Sequence, residues 1–418
     1  MKYIMSKETL GKLTLIQGAA DGRYTVKEVA IRLGLTERRV KQLKKAYKEQ
    51  GERAVIHGNS GRHPVNFTDE TLRQKIIILK QSEIYKNTNF THFQELLEEE
   101  EGIQISYSAL AGILKGAGIT SKRKHRTEGK RFKRRKRRSS FGEMLQGDAS
   151  SHDWFGTGKR CSLHGFIDDA TGKITGLYFC QNECLMGYLE VLRQTLLNFG
   201  IPGELYTDKA GIFIVNTKKE EYWSVEELLA GRPFDKTQFT RIAEEQIGIK
   251  MIYANTPQAK GRIERLWGTL QDRLPVWLKL KGITDMEKAN RNIKSFISHF
   301  NKRFAFQPYS HESSFVPFGD TSNLDKLLTV QHDRTTDNCG SFSFQNFLFQ
   351  IESKKPLVKK KIKFIFSLKI GLMAIYNKKY YPVSCLGLRK DRDITYIPDV
   401  IKILIEKNYY ADERSIAA

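Results

Sequence analysis

The chain has 418 residues and carries 70 Lys and Arg against 47 Asp and Glu, a net charge of +23. This length predicts two to four domains, and the charge argues against a small-metabolite enzyme that has no polyanionic partner. A hydrophobic fraction of 40%, with 24 Phe and 17 Tyr, excludes a largely disordered chain.

The sequence argues against a membrane-bound or secreted protein. No stretch approaches the ~20 apolar residues of a membrane-spanning helix. The segment from Met1 to Met5 lacks the long apolar core of a secretory signal, and five scattered cysteines are typical of a reducing compartment. We therefore expect a cytoplasmic protein, and nucleic acid is the partner that its charge favours.

Residues 25–49 carry the pattern of a helix-turn-helix. Thr25 and Glu28 predict a capping box, Gly34 lies where a tight turn is needed, and Thr36 predicts the start of a second helix. Such a unit places its second helix in the major groove of DNA. The alternative is an ordinary helical hairpin with a solvated basic face. The candidate DNA contacts on the second helix are Arg38, Arg39, Lys41, Gln42 and Lys45.

A second helical unit is predicted over residues 66–120. Helices are expected to begin at Thr68, Thr91 and Ser106. We interpret this unit as a second helix-turn-helix, winged in form. Its acidic run, Glu98–Glu101, is expected in the middle helix, facing away from DNA.

Two flexible basic segments are candidates for contact with phosphates. The link over residues 57–64 contains Arg62, which could reach a minor groove. From Lys122 to Arg138, twelve Lys and Arg stand against one Glu, so the segment cannot fold on itself and is typical of an arm on the DNA backbone. Arg134 and Arg135 are candidate contacts in this arm. For both segments the alternative is a solvated spacer.

Residues 141–280 alternate between strand and helix patterns. Short strands are predicted to end at Asp148 and at Asp208. The strongest helix pattern covers Ala259–Leu280, with Glu264 beside its apolar stripe. For Glu264 alone, the alternative is a salt bridge with Lys260, one turn away.

Three carboxylates placed in this way would repel one another unless a cation neutralised them. Clustered carboxylates suit a hard divalent ion such as Mg²⁺, which keeps waters that exchange with phosphate oxygens. Two such ions activate an attacking oxygen and stabilise a leaving one in an in-line phosphoryl displacement. Asp148, Asp208 and Glu264 are therefore the candidate catalytic residues and metal ligands.

Four motifs around these acids resemble those of a known family. They are Gly147-Asp148-Ala-Ser, Ile167-Asp-Asp-Ala-Thr-Gly172, Tyr206-Thr-Asp208-Lys and Asn255-Thr-Pro-Gln-Ala-Lys-Gly-Arg-Ile-Glu264-Arg. Jointly they resemble the retroviral-integrase-like DDE transposases, closest to bacterial insertion-sequence transposases of the ISNCY group. The resemblance covers residues from about 10 to 395.

The resemblance implies an RNase H-like core with Asp148 on its first strand, Asp208 after its fourth and Glu264 on a following helix. It further implies two Mg²⁺ ions per active site, with Mn²⁺ as a substitute, and double-stranded DNA as the partner. Because two element ends are brought together, at least a dimer is expected on DNA, in a nucleoid-associated bacterial protein. The spacing from Asp208 to Glu264 exceeds the compact retroviral spacing, and the excess is assigned to residues 217–236.

Other polar residues near the acids have weaker cases. His152 is a candidate substrate contact or hydrogen-bonding neighbour of the metal ligands. Lys260 and Arg262 are candidates for holding the DNA backbone, and the alternative is solvated helix charge. Asp168 and Asp169 lie in a turn-forming context, with Asp169 as the expected turn former.

Cysteine and histidine spacing superficially suggests a zinc site. Cys161 and His164 stand three residues apart, a spacing seen in pairs of zinc ligands. Cys180 and Cys184 follow them in the sequence. An offset of three places Cys161 and His164 on opposite faces of a strand, so they cannot converge. We therefore expect buried strand thiols and no zinc.

The last region is predicted to be a small β-barrel of five strands, with a basic face on DNA; the alternative is a dimerisation or packing module.

The fold class is thus multidomain α+β: helix-turn-helix domains, an RNase H-like α/β core and a C-terminal β-barrel. The expected function is a DNA transposase that binds its terminal inverted repeats, cleaves strands with Mg²⁺ and joins a 3′-hydroxyl to target DNA. The alternatives are a non-catalytic DNA-binding regulator and a nuclease that cuts without joining. The expected domains are 1–56, 66–120, a linker arm over 121–140, the core over 141–315 and the barrel with its tail over 316–418.

Overall fold

The computed structural model describes residues 7–56, 67–121, 135–215, 236–254, 260–319, 321–367 and 369–388. Its contacts divide the chain into two compact units, one ending at Ile77 and the other beginning at Ile78. The predictions for Arg62, Arg134 and residues 217–235 lie outside the described residues.

Within the first unit, three helices pack around a small apolar core. The capping box of Thr25 and Glu28 is present, and Gly34 ends the second helix in the left-handed conformation at φ 62°. The Thr36 hydroxyl accepts a hydrogen bond from the Arg39 N–H and so caps the third helix. The helix-turn-helix expected from these residues is confirmed. The helices are α1 (Lys7–Ala20), α2 (Val26–Leu33) and α3 (Glu37–Gln50), and their buried residues include Ile16, Val29, Val40 and Leu43.

Residues 67–121 form three further helices, α4 (Glu70–Gln81), α5 (Phe90–Glu99) and α6 (Tyr107–Gly116). Ser106 caps α6 as predicted. The predicted start of α5 at Thr91 is wrong, because the Asn89 side chain accepts a hydrogen bond from the His92 N–H and caps the helix two residues earlier. Within 67–121 the structure contains no strand, so the expected wing is not formed there.

The central sheet has the strand order β3-β2-β1-β4-β5. The first three strands are antiparallel neighbours, and β4 and β5 run parallel to β1. This arrangement is the expected RNase H-like core. The strands are β1 (Met144–His152), β2 (Cys161–Asp168), β3 (Ile174–Cys180), β4 (Glu204–Thr207) and β5 (Lys250–Tyr253).

Helices cover both faces of this sheet. On one face lies α7 (Leu185–Asn198), together with the short helix α8 (Gln238–Thr240). Helix α8 continues as a π-helix over Arg241–Ile247. On the other face lie α9 (Gly261–Leu280) and α10 (Met286–Phe304), whose apolar residues pack on those of β2 and β3. The alternation of side chains along each strand therefore sorts them between two separate cores.

Helix α5 is attached to the helices of the core by charged side chains. The Glu95 carboxylate pairs with Arg273 and lies 3.1 Å from the Arg303 guanidinium. Asn89 donates a 2.7 Å hydrogen bond to the Asp272 carboxylate. These contacts place α5 in the same compact unit as the central sheet.

The C-terminal sheet has six strands in the order β6-β9-β10-β11-β8-β7 and is a nearly closed barrel. The expectation of five strands is wrong because residues 341–351 form two strands joined by a turn at Gln345 and Asn346, both with positive φ, and because Val330–Thr335 adds another strand. The hairpin predicted at Asn377-Lys378 is confirmed. The remaining elements are α11 (Leu324–Leu327), β6 (Val330–Thr335), β7 (Ser341–Phe344), β8 (Phe347–Ile351), β9 (Lys361–Ser367), β10 (Gly371–Tyr376) and β11 (Lys379–Leu388).

Among the residues that the structure describes, no helix is long and apolar enough to cross a membrane. All five cysteines have free thiols.

The cap of α3 gives a test of the N-terminal fold. Replacing Thr36 by Ala removes the hydroxyl that accepts from the Arg39 N–H, which we expect to cost about 1 kcal/mol of local stability. Amide hydrogen exchange in α3, followed by mass spectrometry on the full chain, should then be about fivefold faster. The Thr36→Ser variant keeps the hydroxyl and should exchange like the wild type. Equal exchange in all three proteins would contradict the assigned cap.

Candidate functional site

The pairing of two parallel strands brings the first two candidate acids together. Strands β1 and β4 pair with Gln146 opposite Tyr206, so the same register continues to Asp148 and Asp208. Asp148 lies in the middle of β1, and the prediction that its strand ends there is wrong, because β1 stays paired with β2 as far as His152. Asp208 directly follows β4 as predicted.

A buried ammonium group bridges the two aspartates. The Lys260 Nζ lies 2.9 Å from Asp148 Oδ1 and 3.0 Å from Asp208 Oδ2, and the lysine side chain is only 8% exposed. Burial by itself lowers the pKa of Lys260, but the two carboxylates outweigh it and raise that pKa above its ordinary value. The ammonium therefore stays charged and neutralises part of the negative charge of the pair.

Helix α9 lies along one face of β1, fixed by side chains at alternate positions of the strand. Gln146 accepts a hydrogen bond from the Ile263 N–H, and Ser150 accepts one from Gln271. Between them, the Trp267 indole N–H donates to Asp148 Oδ2 at 3.1 Å. Asp148 is thus held by Lys260 on one oxygen and by Trp267 on the other.

The close approach of Trp267 requires a glycine on the neighbouring strand. Gly165 stands opposite Asp148 in the pairing of β1 with β2. A Cβ at this position would lie 2.9 Å from the Trp267 ring and 2.7 Å from the Leu177 side chain. Glycine is therefore the residue that lets the indole reach the carboxylate.

Glu264 lies on the helix face that contacts Asp148, and its side chain is exposed. It is four residues from Lys260 and three from Trp267, so all three side chains share one face of the helix. Glu264 is exposed and has no hydrogen-bond or ion-pair partner among the described residues. The oxygens of Asp148, Asp208 and Glu264 do not all lie within 4.8 Å of one another. The alternative salt bridge between Glu264 and Lys260 is not formed, since the ammonium binds the aspartates instead.

Arg262 and Arg135, two candidate DNA contacts, are held by one buried acid. Both guanidinium groups pair with Asp169 Oδ1, and Asp169 is fully buried. The prediction that Asp169 forms the turn is wrong. Asp168 does so, because its carboxylate accepts from the Thr171 N–H and hydroxyl, each at 2.7 Å. Arg262 and Lys260 are therefore neither solvated helix charge nor free for phosphate in this structure, whereas Arg135 remains half exposed.

His152 lies at the end of β1, four residues from Asp148 on the same face of the strand, which corresponds to about 13 Å. Its ring packs edge-on against Trp154 with 5.1 Å between centroids, and burial lowers its pKa. That separation does not support contact with the aspartates in this structure.

The candidate DNA-contacting side chains of α3 point outward. Val40 and Leu43 are buried against the other helices of the first unit. The five candidate residues are all exposed: Arg38, Arg39, Lys41, Gln42 and Lys45.

Three functional features were missed in the sequence. Lys260 is a partner of the acids, Trp267 is a hydrogen-bond donor to Asp148, and Gly165 makes room for that donor. The one visible signal was Gly165, because a glycine inside a strand pattern marks a close approach of another group.

Comparison with known proteins gives matches over part or most of the chain. A family model described as "Helix-turn-helix domain" matches residues 12–63. Among solved structures, the simian T-cell lymphotropic virus intasome in complex with PP2A regulatory subunit B56 gamma aligns with 12% identity and a TM-score of 0.30, covering 76% of this chain and 100% of that one. The HTLV-2 integrase catalytic core domain in complex with magnesium aligns with 16% identity and a TM-score of 0.26, covering 37% of this chain and 82% of that one.

Two curated relatives match most of the sequence. The putative transposase y4bF of Sinorhizobium fredii is 32% identical over 354 residues, covering 84% of this chain and 74% of the relative. The transposase for insertion sequence IS1202 of Streptococcus pneumoniae is 35% identical over 370 residues, covering 80% of this chain and 76% of the relative. With similarity at this level along both proteins, the chain belongs to the insertion-sequence transposases.

Proposed function

We propose that this transposase cleaves DNA strands at the terminal inverted repeats of its element and joins the resulting 3′-hydroxyl to target DNA, using Mg²⁺ held by Asp148, Asp208 and Glu264. The observation that carries the proposal is the Lys260 ammonium, 2.9 Å from Asp148 and 3.0 Å from Asp208. Two carboxylates that share one cation form the donor set that a hard metal ion accepts.

We propose that two divalent ions bind here, with Mn²⁺ as a substitute for Mg²⁺, because the site offers carboxylate oxygens, which such ions prefer. Asp148 and Asp208 supply oxygens on adjacent strands, and Glu264 supplies an exposed carboxylate on the helix packed against them. When bound, such ions activate an attacking oxygen and stabilise a leaving one. Because the oxygens of the three acids do not all lie within 4.8 Å of one another in this structure, the complete ligand set requires side-chain rotation.

The chain's own side chains orient this site. The Trp267 N–H fixes one oxygen of Asp148, and the Gln146–Ile263 and Ser150–Gln271 hydrogen bonds hold α9 in register with β1. Lys260 keeps the aspartates together and, once released from them, carries a positive charge beside any phosphate that enters. This release is the step at which Lys260 becomes available to the DNA backbone.

Recognition of DNA is assigned to the first helical unit and the basic arm. We propose that α3 enters the major groove, which its exposed basic face and buried Val40 and Leu43 support. Arg135, in the C-terminal part of the arm, has a half-exposed side chain. Its guanidinium can therefore contact a phosphate while it stays paired with Asp169. Pairing two element ends requires at least a dimer on DNA.

The activity is tested with labelled element ends, Mg²⁺ and three sets of variants. Asp148→Asn and Glu264→Gln should lower cleavage and joining by on the order of a thousandfold or more while binding persists. Glu98→Gln, which alters another exposed helical carboxylate, should react like the wild type. Arg38→Ala with Arg39→Ala should weaken binding to the ends.

Each outcome separates the candidate functions. A wild-type protein that binds the ends and leaves every strand intact would show a non-catalytic regulator. A protein that nicks but never yields joined products would be a nuclease. Full activity of the Asp148 or Glu264 variant would contradict the assignment of the acids.

The role of Lys260 gives a second test, by thermal unfolding with and without Mg²⁺. Lys260→Gln leaves the aspartates unneutralised, so the metal-free variant should be less stable by about 1–3 kcal/mol. Because the ion then displaces no ammonium, Mg²⁺ should raise the Tm of the variant by about 2–4 °C more than that of the wild type. Lys250→Gln, which removes an exposed pair with Glu204, is the matched control and should respond like the wild type. A smaller rise of the Tm with Mg²⁺ in Lys260→Gln than in the wild type would show that the Lys260 ammonium does not occupy the position of the metal ion.

A further inference from the structure

A second cluster of metal-binding side chains lies on the opposite face of the central sheet. One nitrogen of His164 and the sulfurs of Cys180 and Cys184 all lie within 4.8 Å of one another. His164 belongs to β2, Cys180 ends β3, and Cys184 is the residue that precedes α7. Cys161 points into the core under α9 instead. The expected separation of Cys161 from His164 is therefore confirmed. The expectation of no zinc was drawn from that pair and did not consider His164 together with Cys180 and Cys184.

The surroundings of His164 fix which ring nitrogen carries the lone pair. Nδ1 lies 3.2 Å from the Tyr178 carbonyl oxygen, so the proton is on Nδ1 and the lone pair is on Nε2. A carbonyl acceptor on the second nitrogen is the usual support of a metal-binding histidine. Nε2 accepts a 3.0 Å hydrogen bond from the Cys184 N–H, which a metal ion would have to replace. The Gly187 backbone packs on this ring, where a Cβ would lie 2.4 Å from it.

The two sulfurs and one imidazole nitrogen lie close enough together to serve as ligands of a single ion. Thiolates with one imidazole are the ligand set that Zn²⁺ prefers. Both sulfurs also line a cavity of 1620 Å³, which supplies an entry path and room for water as a fourth ligand.

We propose that His164 Nε2 and the sulfurs of Cys180 and Cys184 bind one Zn²⁺ ion. Zinc–sulfur and zinc–nitrogen distances are about 2.3 and 2.1 Å, so ligand atoms within 4.8 Å of one another need to close by only about 1 Å. Binding releases any thiol protons to water, and no oxidation takes place.

Such an ion would tie together the two strands and the helix that lie behind the acids. His164 pairs with Ala149, the residue after Asp148, and precedes Gly165, against which Trp267 packs. A zinc ion on this face would therefore stabilise the strand that positions Trp267. This site is separate from the proposed Mg²⁺ site, and its occupancy is measured without DNA or Mg²⁺.

The test uses the reduced full-length protein, freed of metal with a chelator and then titrated with Co²⁺ or Zn²⁺. We expect one ion per chain, with thiolate-to-cobalt charge-transfer absorption. Zn²⁺ should slow alkylation of Cys180 and Cys184 by about tenfold or more, while the exposed Cys339 reacts at an unchanged rate; mass spectrometry of the peptides reads each cysteine in the wild-type chain. Cys180→Ser and Cys184→Ser should weaken binding by about a hundredfold or more. Cys161→Ala is the matched control and should keep the ion.

The proposal is overturned if neither cysteine of the wild type is protected, or if Cys161→Ala loses the ion as the other variants do. It is also overturned if Cys180 and Cys184 form a disulfide in air while the reduced protein binds no Zn²⁺, which would make the pair a redox element.

Discussion

Repulsion between two carboxylates on adjacent strands is the constraint around which this core is organised. Two carboxylates held close together disfavour each other's ionised form unless a cation lies between them. The Lys260 ammonium offsets this repulsion, with contacts of 2.9 and 3.0 Å to Asp148 and Asp208. The third acid, Glu264, has no such partner among the described residues and extends toward solvent.

Helix α9, with the residue before it, supplies the side chains that contact Asp148. Lys260 is the residue before the helix, Glu264 lies in its first turn, and Trp267 lies in the next turn. Gln271, one turn further on, bonds to the same strand. Because these residues recur at intervals of three and four, they share one helix face. Lys260 and Trp267 on this face contact Asp148, and Glu264 is exposed beside them.

Local chemistry was predictable from the sequence, and long-range pairing was not. The caps at Thr25 and Thr36 and the central strands follow from turn chemistry and hydrophobic periodicity, which act over a few residues. The contact between Lys260 and Asp148 joins residues 112 positions apart, so the local sequence around Lys260 suggested a salt bridge with Glu264, solvated charge or a DNA contact. The roles of Asp168 and Asp169 were interchanged because the two residues are adjacent in the sequence. Only their partners distinguish them, since Asp168 bonds to Thr171 and Asp169 pairs with Arg262.

Diffraction from crystals soaked in Mn²⁺, with anomalous maps that locate the ion, tests the exchange of ammonium for metal most directly. We expect an anomalous peak between Asp148 and Asp208, with the Lys260 Nζ withdrawn from both carboxylates and Glu264 turned toward the ion. A structure in which Lys260 still bridges the aspartates, with Mn²⁺ bound elsewhere or not at all, would contradict the assignment of these acids as the metal site.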